Sequence, residues 1–261
     1  MTRRRFYAPP EAFSDDGARV ALSAEESRHL RDVLRLRAGD EAHVFDGEGR
    51  EFACVVGEAR GREAALEVVG QVKPLRPESP LELTLAVALL KGEKFDLVVQ
   101  KATELGVARV VPVVTLRADV RLRDERDAAR RVERWHRLAL EAAKQSGRAR
   151  VPPVVAPCAL ETFVKGEAAA LVKSEARGGW LRVFFSERGG AGLDSFSKEI
   201  ESSPATVAAL VGPEGGWADE EIELARENDW KVITLGGRTL RAETAAVVVA
   251  ALLQNRFGDL G

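Results

Sequence analysis

The sequence predicts the α/β fold class: a C-terminal α/β domain on a parallel sheet, behind a small β-rich unit. Three observations predict it. After about residue 80, mostly apolar runs of strand length alternate with amphipathic helical stretches, the pattern of a parallel sheet covered by helices. Before about residue 70 the candidate strands are short and close together. Between the two patterns lies Lys73-Pro-Leu-Arg-Pro-Glu-Ser-Pro80, with three prolines in eight residues, a stiff linker. The predicted organisation is therefore a first domain at 1–72, a linker at 73–80 and a second domain at 81–261.

In the first domain the candidate strands are Arg5 to Ala8, Arg19 to Leu22, Glu41 to Phe45, Glu51 to Val56 and Ala64 to Val69. Asp46-Gly47-Glu48-Gly49 reads as a hairpin connection between two of them. Ser23 to Leu36 reads as a helix. Ser23 suits the N-cap, Glu26 stands at the capping-box position, and Leu30, Val33 and Leu34 form an apolar stripe.

In the second domain Leu81 to Leu90, Ala108 to Thr115, Leu181 to Phe185, Thr206 to Val211 and Lys231 to Leu235 read as strands. Phe95, Val98, Val99, Ala102 and Leu105 mark one amphipathic helix, and Val132, Trp135, Leu138 and Ala142 another. The last helix, about Glu243 to Phe257, is apolar around most of its circumference. Such a helix is covered inside its own domain or by a second copy of the chain.

Composition narrows the function classes. The 261 residues are 45% hydrophobic, enough for a substantial core. The longest apolar stretch, Ala245 to Leu253, is far short of the ~20 residues that span a bilayer. Met1-Thr-Arg-Arg-Arg runs into Phe6-Tyr7 and prolines, not into the apolar run of a signal peptide. Cys54 and Cys158 stand far apart with no Cys-x-x-Cys spacing, which indicates neither a zinc site nor a disulfide framework, so a cytoplasmic location is expected. None of His29, His43 and His136 has partners at triad or metal spacing, and no metal site is expected.

The net charge of −2 hides a basic middle: residues 117–150 hold eleven Lys/Arg against six Asp/Glu. In the first domain Arg3, Arg4 and Arg5 cluster, and Arg28, Arg31, Arg35 and Arg37 recur at short steps. Arginine forks onto phosphates and stacks on bases, so these are candidate RNA contacts. The competing reading is a solvated helix face.

Two glycine-bearing loops carry the most information. Leu210-Val-Gly-Pro-Glu-Gly-Gly-Trp217 and Leu235-Gly-Gly-Arg-Thr-Leu-Arg-Ala-Glu-Thr-Ala245 each follow a strand and precede a helix. They are expected at the C-terminal ends of neighbouring strands, where open α/β sheets bind ligands. The first loop enters a helix that starts Asp219-Glu220-Glu221, which competes with a bound phosphate and suits a neutral or cationic ligand. Neither phosphate-binding fingerprint, Gly-x-x-x-x-Gly-Lys-Ser/Thr or Gly-x-Gly-x-x-Gly, is present. Arg241 and Glu243 stand at the start of the final helix. A guanidinium there can stabilise negative charge developing on a carbonyl oxygen, with Glu243 as base or positioning group. The alternative is a structural ion pair at a helix start.

Both loops resemble the signature loops of the bacterial 16S ribosomal RNA uridine-N3 methyltransferases, members of the trefoil-knotted SPOUT superfamily. Lys91-Gly-Glu-Lys-Phe-Asp-Leu through Lys101-Ala-Thr-Glu-Leu-Gly106 resembles the same family in order and spacing. So do Arg134-Trp-His-Arg through Gly147-Arg and Arg5-Phe-Tyr with Arg28-His-Leu. The resemblance implies a PUA-like β-barrel, then an α/β domain with a trefoil knot, and a homodimer built partly through the last helix. It implies S-adenosylmethionine as methyl donor. Leu210, Gly212, Glu214, Gly215 and Gly216 of the first loop would line its pocket, with Leu235, Gly236, Leu240 and Thr244 of the second. Arg241 and Glu243 would be catalytic, and Arg3, Arg4, Arg5, Arg28, Arg31 and Arg35 would contact 16S ribosomal RNA of the small subunit. A sister enzyme methylating a ribose 2′-hydroxyl, or a non-catalytic RNA-binding factor, are the alternatives. Gly237 and Thr239 depart from the Pro and Ile of many relatives, a change expected to loosen the second loop.

Overall fold

The computed structural model describes residues 3–58, 63–166, 181–198, 200 and 203–261. The chain forms two compact units: Met1–Glu78 with Leu140–Val151, and Ser79–Ala139 with Pro152–Gly261.

In the first unit β1 (Arg5–Tyr7), β2 (Arg19–Ala21), β3 (Glu41–Phe45), β4 (Glu51–Val56) and β5 (Ala65–Val72) form one sheet in the order β1-β3-β4-β5-β2. β1 runs parallel to β3, and the other pairs are antiparallel. The inward residues Phe6, Val20, Leu22, Val44, Cys54 and Leu66 make its core. Asp46 fastens the β3–β4 turn by accepting from the Glu48 and Arg50 backbone N–H groups at 2.8 and 3.0 Å. The expected helix is shorter and less regular than its periodicity implied. α1 (Ala24–Arg28) is followed by a π-helical turn at His29–Val33, which the Leu34 N–H closes onto the His29 carbonyl. Ser23 Oγ caps it through the Glu26 N–H at 3.2 Å, and Glu26 itself receives Lys144 Nζ at 2.7 Å.

Residues 140–151, placed by sequence in the second domain, pack with the first unit. The ties are long-range and so leave no local signal. Arg148 bridges to Glu78 at 2.6 Å, its carbonyl accepts from Arg5 Nη2 at 2.9 Å, and the Val151 N–H donates to the Gly47 carbonyl.

Glu51 anchors this unit. Its side chain is fully buried and receives Arg3 at 2.9 Å, Arg5 at 3.2 Å and the Leu75 N–H at 3.0 Å. Burial lowers the pKa of Arg5 and Glu51 opposes that, while the guanidinium also lies 4.6 Å over the Phe45 ring. Removing one partner strands a buried charge. Glu51→Ala is therefore expected to destabilise the protein by about 3–5 kcal/mol, read as a lower urea midpoint. An unchanged midpoint would show that water reaches Arg5.

In the second unit β6 (Glu82–Ala88), β7 (Arg109–Val114), β8 (Cys158–Ala159), β9 (Leu181–Phe185), β10 (Ala191–Gly192), β11 (Thr206–Val211) and β12 (Lys231–Thr234) form a seven-stranded sheet. Its order is β10-β12-β9-β11-β6-β7-β8, and every pairing is parallel. The helices are α2 (Lys94–Glu104), α3 (Glu125–Ser146), α4 (Leu160–Val164), α5 (Leu193–Lys198), α6 (Asp219–Glu227) and α7 (Ala242–Phe257). β8 and β10, two residues each, are too short to show a period. β11 is buried along its whole length, as its unbroken apolar run requires at the centre of a covered sheet. Trp217, Phe184, Leu210, Val113 and Phe163 pack into the core.

α7 buries Ala242, Ala246, Val249, Ala250 and Leu253 on one face. On its other side Leu252 is exposed, as is Leu97 of α2. Among the described residues no helix is long and apolar enough to cross a membrane.

Candidate active site

Because every strand pairing in the large sheet is parallel, the segments leaving β6, β7, β9, β11 and β12 emerge at one edge. The two glycine loops share it, but their strands are not neighbours: β9 lies between β11 and β12. The segment after β9, Ser186 to Gly190, was invisible as part of the site in the sequence because strand order is a long-range property. It locks the first loop from the side. Arg188 Nη2 donates to the Trp217 carbonyl at 2.8 Å and pairs with Asp219 at 2.7 Å.

The first loop is held by close approach. Trp217 is fully buried, stacks at 4.3 Å on Phe184 and donates its indole N–H to the Phe185 carbonyl at 2.8 Å. Gly212 lies against the same indole: a Cβ there would fall 2.7 Å from Trp217 Cε2, closer than atoms can pack. Gly216 turns with φ +67°, and a Cβ there would fall 2.6 Å from Glu187 Oε1. Leu210 is wholly buried, so only its backbone can reach a ligand. Gly215 and Glu214 are exposed.

The second loop is open by contrast. Gly236 and Gly237 both have positive φ, +73° and +71°, and a Cβ on either would meet nothing within 4 Å. Leu235 and Leu240 are half-buried beside that space, and Thr244 is exposed. Proline holds φ near −65°, so it cannot take the φ of +71° that Gly237 adopts here.

At the start of α7 Arg241 is exposed and Glu243 is 8% exposed. The Glu243 Oε2 atom is buried without a hydrogen-bond partner among the described residues, so it makes no structural ion pair with Arg241. An orphaned acceptor at a sheet edge needs a ligand, a proton or water. Lys94, absent from the sequence-derived set, donates to Glu214 Oε1 at 2.9 Å. That bond raises the Lys94 pKa; Glu243 adds to the shift, while burial and Arg241 oppose it. A signal was available: Lys94 opens α2, where a cation opposes the helix dipole and needs a reason to be there.

The acidic start of α6 does less than expected. Glu221 is buried and spends both oxygens on backbone N–H groups, Leu116 at 2.8 Å and Ala218 at 2.9 Å, and Asp219 is paired to Arg188. Carboxylates near the loops are also supplied by Glu187, Glu214 and Glu243. Thr115 Oγ1, beyond the end of β7, and Thr234 Oγ1, at the end of β12, are also buried without a hydrogen-bond partner among the described residues.

The candidate RNA arginines divide. Arg3 and Arg5 are engaged by Glu51, and Arg31 is half-buried, whereas Arg4, Arg28 and Arg35 are exposed. His29 sits edge-on to Phe6 at 5.9 Å, and burial lowers the pKa of His43, the company of structural histidines.

Comparison with known proteins covers both units. The RNA methyltransferase domain family matches residues 77–254, and the RNA methyltransferase PUA domain family matches 22–69. The chain is 34% identical to ribosomal RNA small subunit methyltransferase E of Synechocystis over 96% of its own length and 77% of that protein. It is 30% identical to the Bacillus subtilis protein of the same name, with 88% of each covered. The crystal structure of ribosomal RNA small subunit methyltransferase E from Neisseria gonorrhoeae, bound to S-adenosyl methionine, superposes with a TM-score of 0.82 at 31% identity over the whole of both chains.

Proposed function

Given that this chain belongs to the RNA methyltransferase family, we propose that it methylates N3 of a uridine in 16S ribosomal RNA. At the coarser level it is an S-adenosylmethionine-dependent methyltransferase of small-subunit ribosomal RNA. The observation that carries the finer reading is the orphaned Glu243 Oε2, with Arg241 two residues away beside the open second loop.

The residues present fit the donor. The open space at Gly236 and Gly237, the half-buried Leu235 and Leu240, and the bare backbone of Gly212 to Gly216 would hold it. When bound, S-adenosylmethionine supplies an electrophilic methyl group on a cationic sulfonium. Uridine N3 carries a proton that leaves reluctantly at neutral pH, so the task of the chain is to favour the N3 anion and aim it. Glu243 relays the N3 proton or orients the guanidinium, and Arg241 donates N–H bonds to the charge left on O4 or O2. Lys94 holds Glu214, and with it the first loop, in place.

A homodimer built partly through α7, where Leu252 is exposed, belongs to the same reading. Arg4, Arg28 and Arg35 are the arginines best exposed to meet RNA. A cytoplasmic location goes with ribosomal subunits as substrate.

The deciding experiment incubates the protein with labelled S-adenosylmethionine and small subunits lacking the modification, then identifies the labelled nucleoside after digestion. Label in 3-methyluridine is expected. Label in a 2′-O-methyl nucleoside would overturn the N3 assignment and keep the family.

A further inference from the structure

A cleft of about 320 Å³ opens between α2 and α3, bordered at one end by Leu90 and Gly92 of the segment joining β6 to α2. Its floor is closed: Phe95 and Trp135 stack at 4.4 Å and are 1% and 3% exposed, so neither ring face is free to take a base. Its wall is charged. Arg130, Arg131 and Arg134 come from one face of α3, and the side chains of Arg130 and Arg134 are 74% and 54% exposed.

The acids in the cleft lie behind these arginines. Asp96 and Asp127 side chains are each only 14% exposed. Asp96 binds Arg134 on one oxygen and takes the Trp135 indole N–H at 3.0 Å on the other. Asp127 accepts from Arg131 at 3.4 Å and lies 3.5 Å from Arg130. A guanidinium has five donors, and these carboxylates take only the ones they face. They orient the arginines and leave unused N–H donors toward solvent, the chemistry that receives a phosphate, although the exposed Glu93 carboxylate 3.9 Å from Arg134 offsets part of the charge.

Location gives the cleft its use. The segment that borders it at Gly92 runs straight on into Lys94, which is bonded to Glu214 of the first glycine loop. The lining of the cleft at Gly92 thus stands two positions along the chain from a side chain bonded to the first glycine loop. We infer that Arg130, Arg131 and Arg134 form a phosphodiester site that registers the RNA backbone beside the target nucleotide. This rests on the RNA methyltransferase reading and deepens it.

The test compares wild type with Arg130→Glu and Arg134→Ala. RNA binding is measured by filter retention of a single-stranded small-subunit RNA fragment at several salt concentrations. Methyl-transfer kinetics and calorimetric S-adenosylmethionine binding are measured beside it. Arg130 is the variant least able to disturb folding, since it is mostly exposed and its ion pair is long. Expected are a loss of RNA affinity of about tenfold, a salt slope shallower by about one, and a raised KM for RNA with kcat and donor binding unchanged. Wild-type affinity and slope in both variants would overturn the site while leaving the enzyme reading intact. Wild type that neither binds nor methylates RNA would overturn both.

Discussion

Arg241→Ala is expected to slow methyl transfer by about 10²–10³-fold while leaving the protein folded and able to bind S-adenosylmethionine. The argument is structural. Arg241 caps α7 with its backbone alone, its carbonyl accepting the Ala245 N–H at 2.8 Å, and its side chain is exposed. Nothing in the fold depends on the guanidinium, so the loss falls on the step in which charge develops on uridine. Glu243→Gln tests the partner. It keeps the shape of a buried side chain and removes only the charge and the proton acceptor, and a general base is worth about 10²–10⁴-fold. Single-turnover rates separate these effects from product release, and calorimetry reports donor binding. Full turnover in both variants would sink the assignment. A defect confined to donor binding would move both residues from catalysis to the pocket.

Trp217→Ala is expected to destabilise the protein by about 3–5 kcal/mol, as much as Glu51→Ala. It removes a fully buried indole, its stack on Phe184 and the bond that satisfies the Phe185 carbonyl. For a chain of this size the melting temperature should drop by on the order of 10 °C. Donor binding should weaken too, since the indole is what Gly212 rests against. The close approach supplies an internal check. Gly212→Ala alone forces a Cβ to 2.7 Å from Trp217 Cε2 and is expected to cost about 1–3 kcal/mol. In the double variant that clash is gone, so the combined loss should be smaller than the two losses added. Strict additivity in urea unfolding would mean that Gly212 is small for another reason, such as approach to the donor.

Much of the fold was legible because its signals are local. The apolar run Thr206 to Val211 could only be a strand buried on both faces. Phe95, Val98, Val99 and Ala102 could only be one side of a helix, and all of them are buried. The glycine loops announced themselves because glycine marks places where a Cβ cannot fit or φ must be positive, as Gly212 and Gly216 turn out to require. The role of Lys94 was half legible: its place in a first helical turn is a local anomaly, but Glu214 lies 120 residues away.

What the sequence determined by itself was therefore the set of elements, their hydrophobic faces and the two loops, since each depends on residues a few positions apart. Tertiary structure alone decided that β9 separates the strands bearing those loops and sends Arg188 to lock Trp217. It alone decided that residues 140–151 join the first unit, that Arg3 and Arg5 are taken up by a buried Glu51, and that Glu221 takes the distant Leu116 N–H. The physical reason is common to all four. Which charge meets which partner, and which strand lies beside which, is set by packing across long stretches of chain, and no local period or propensity encodes it.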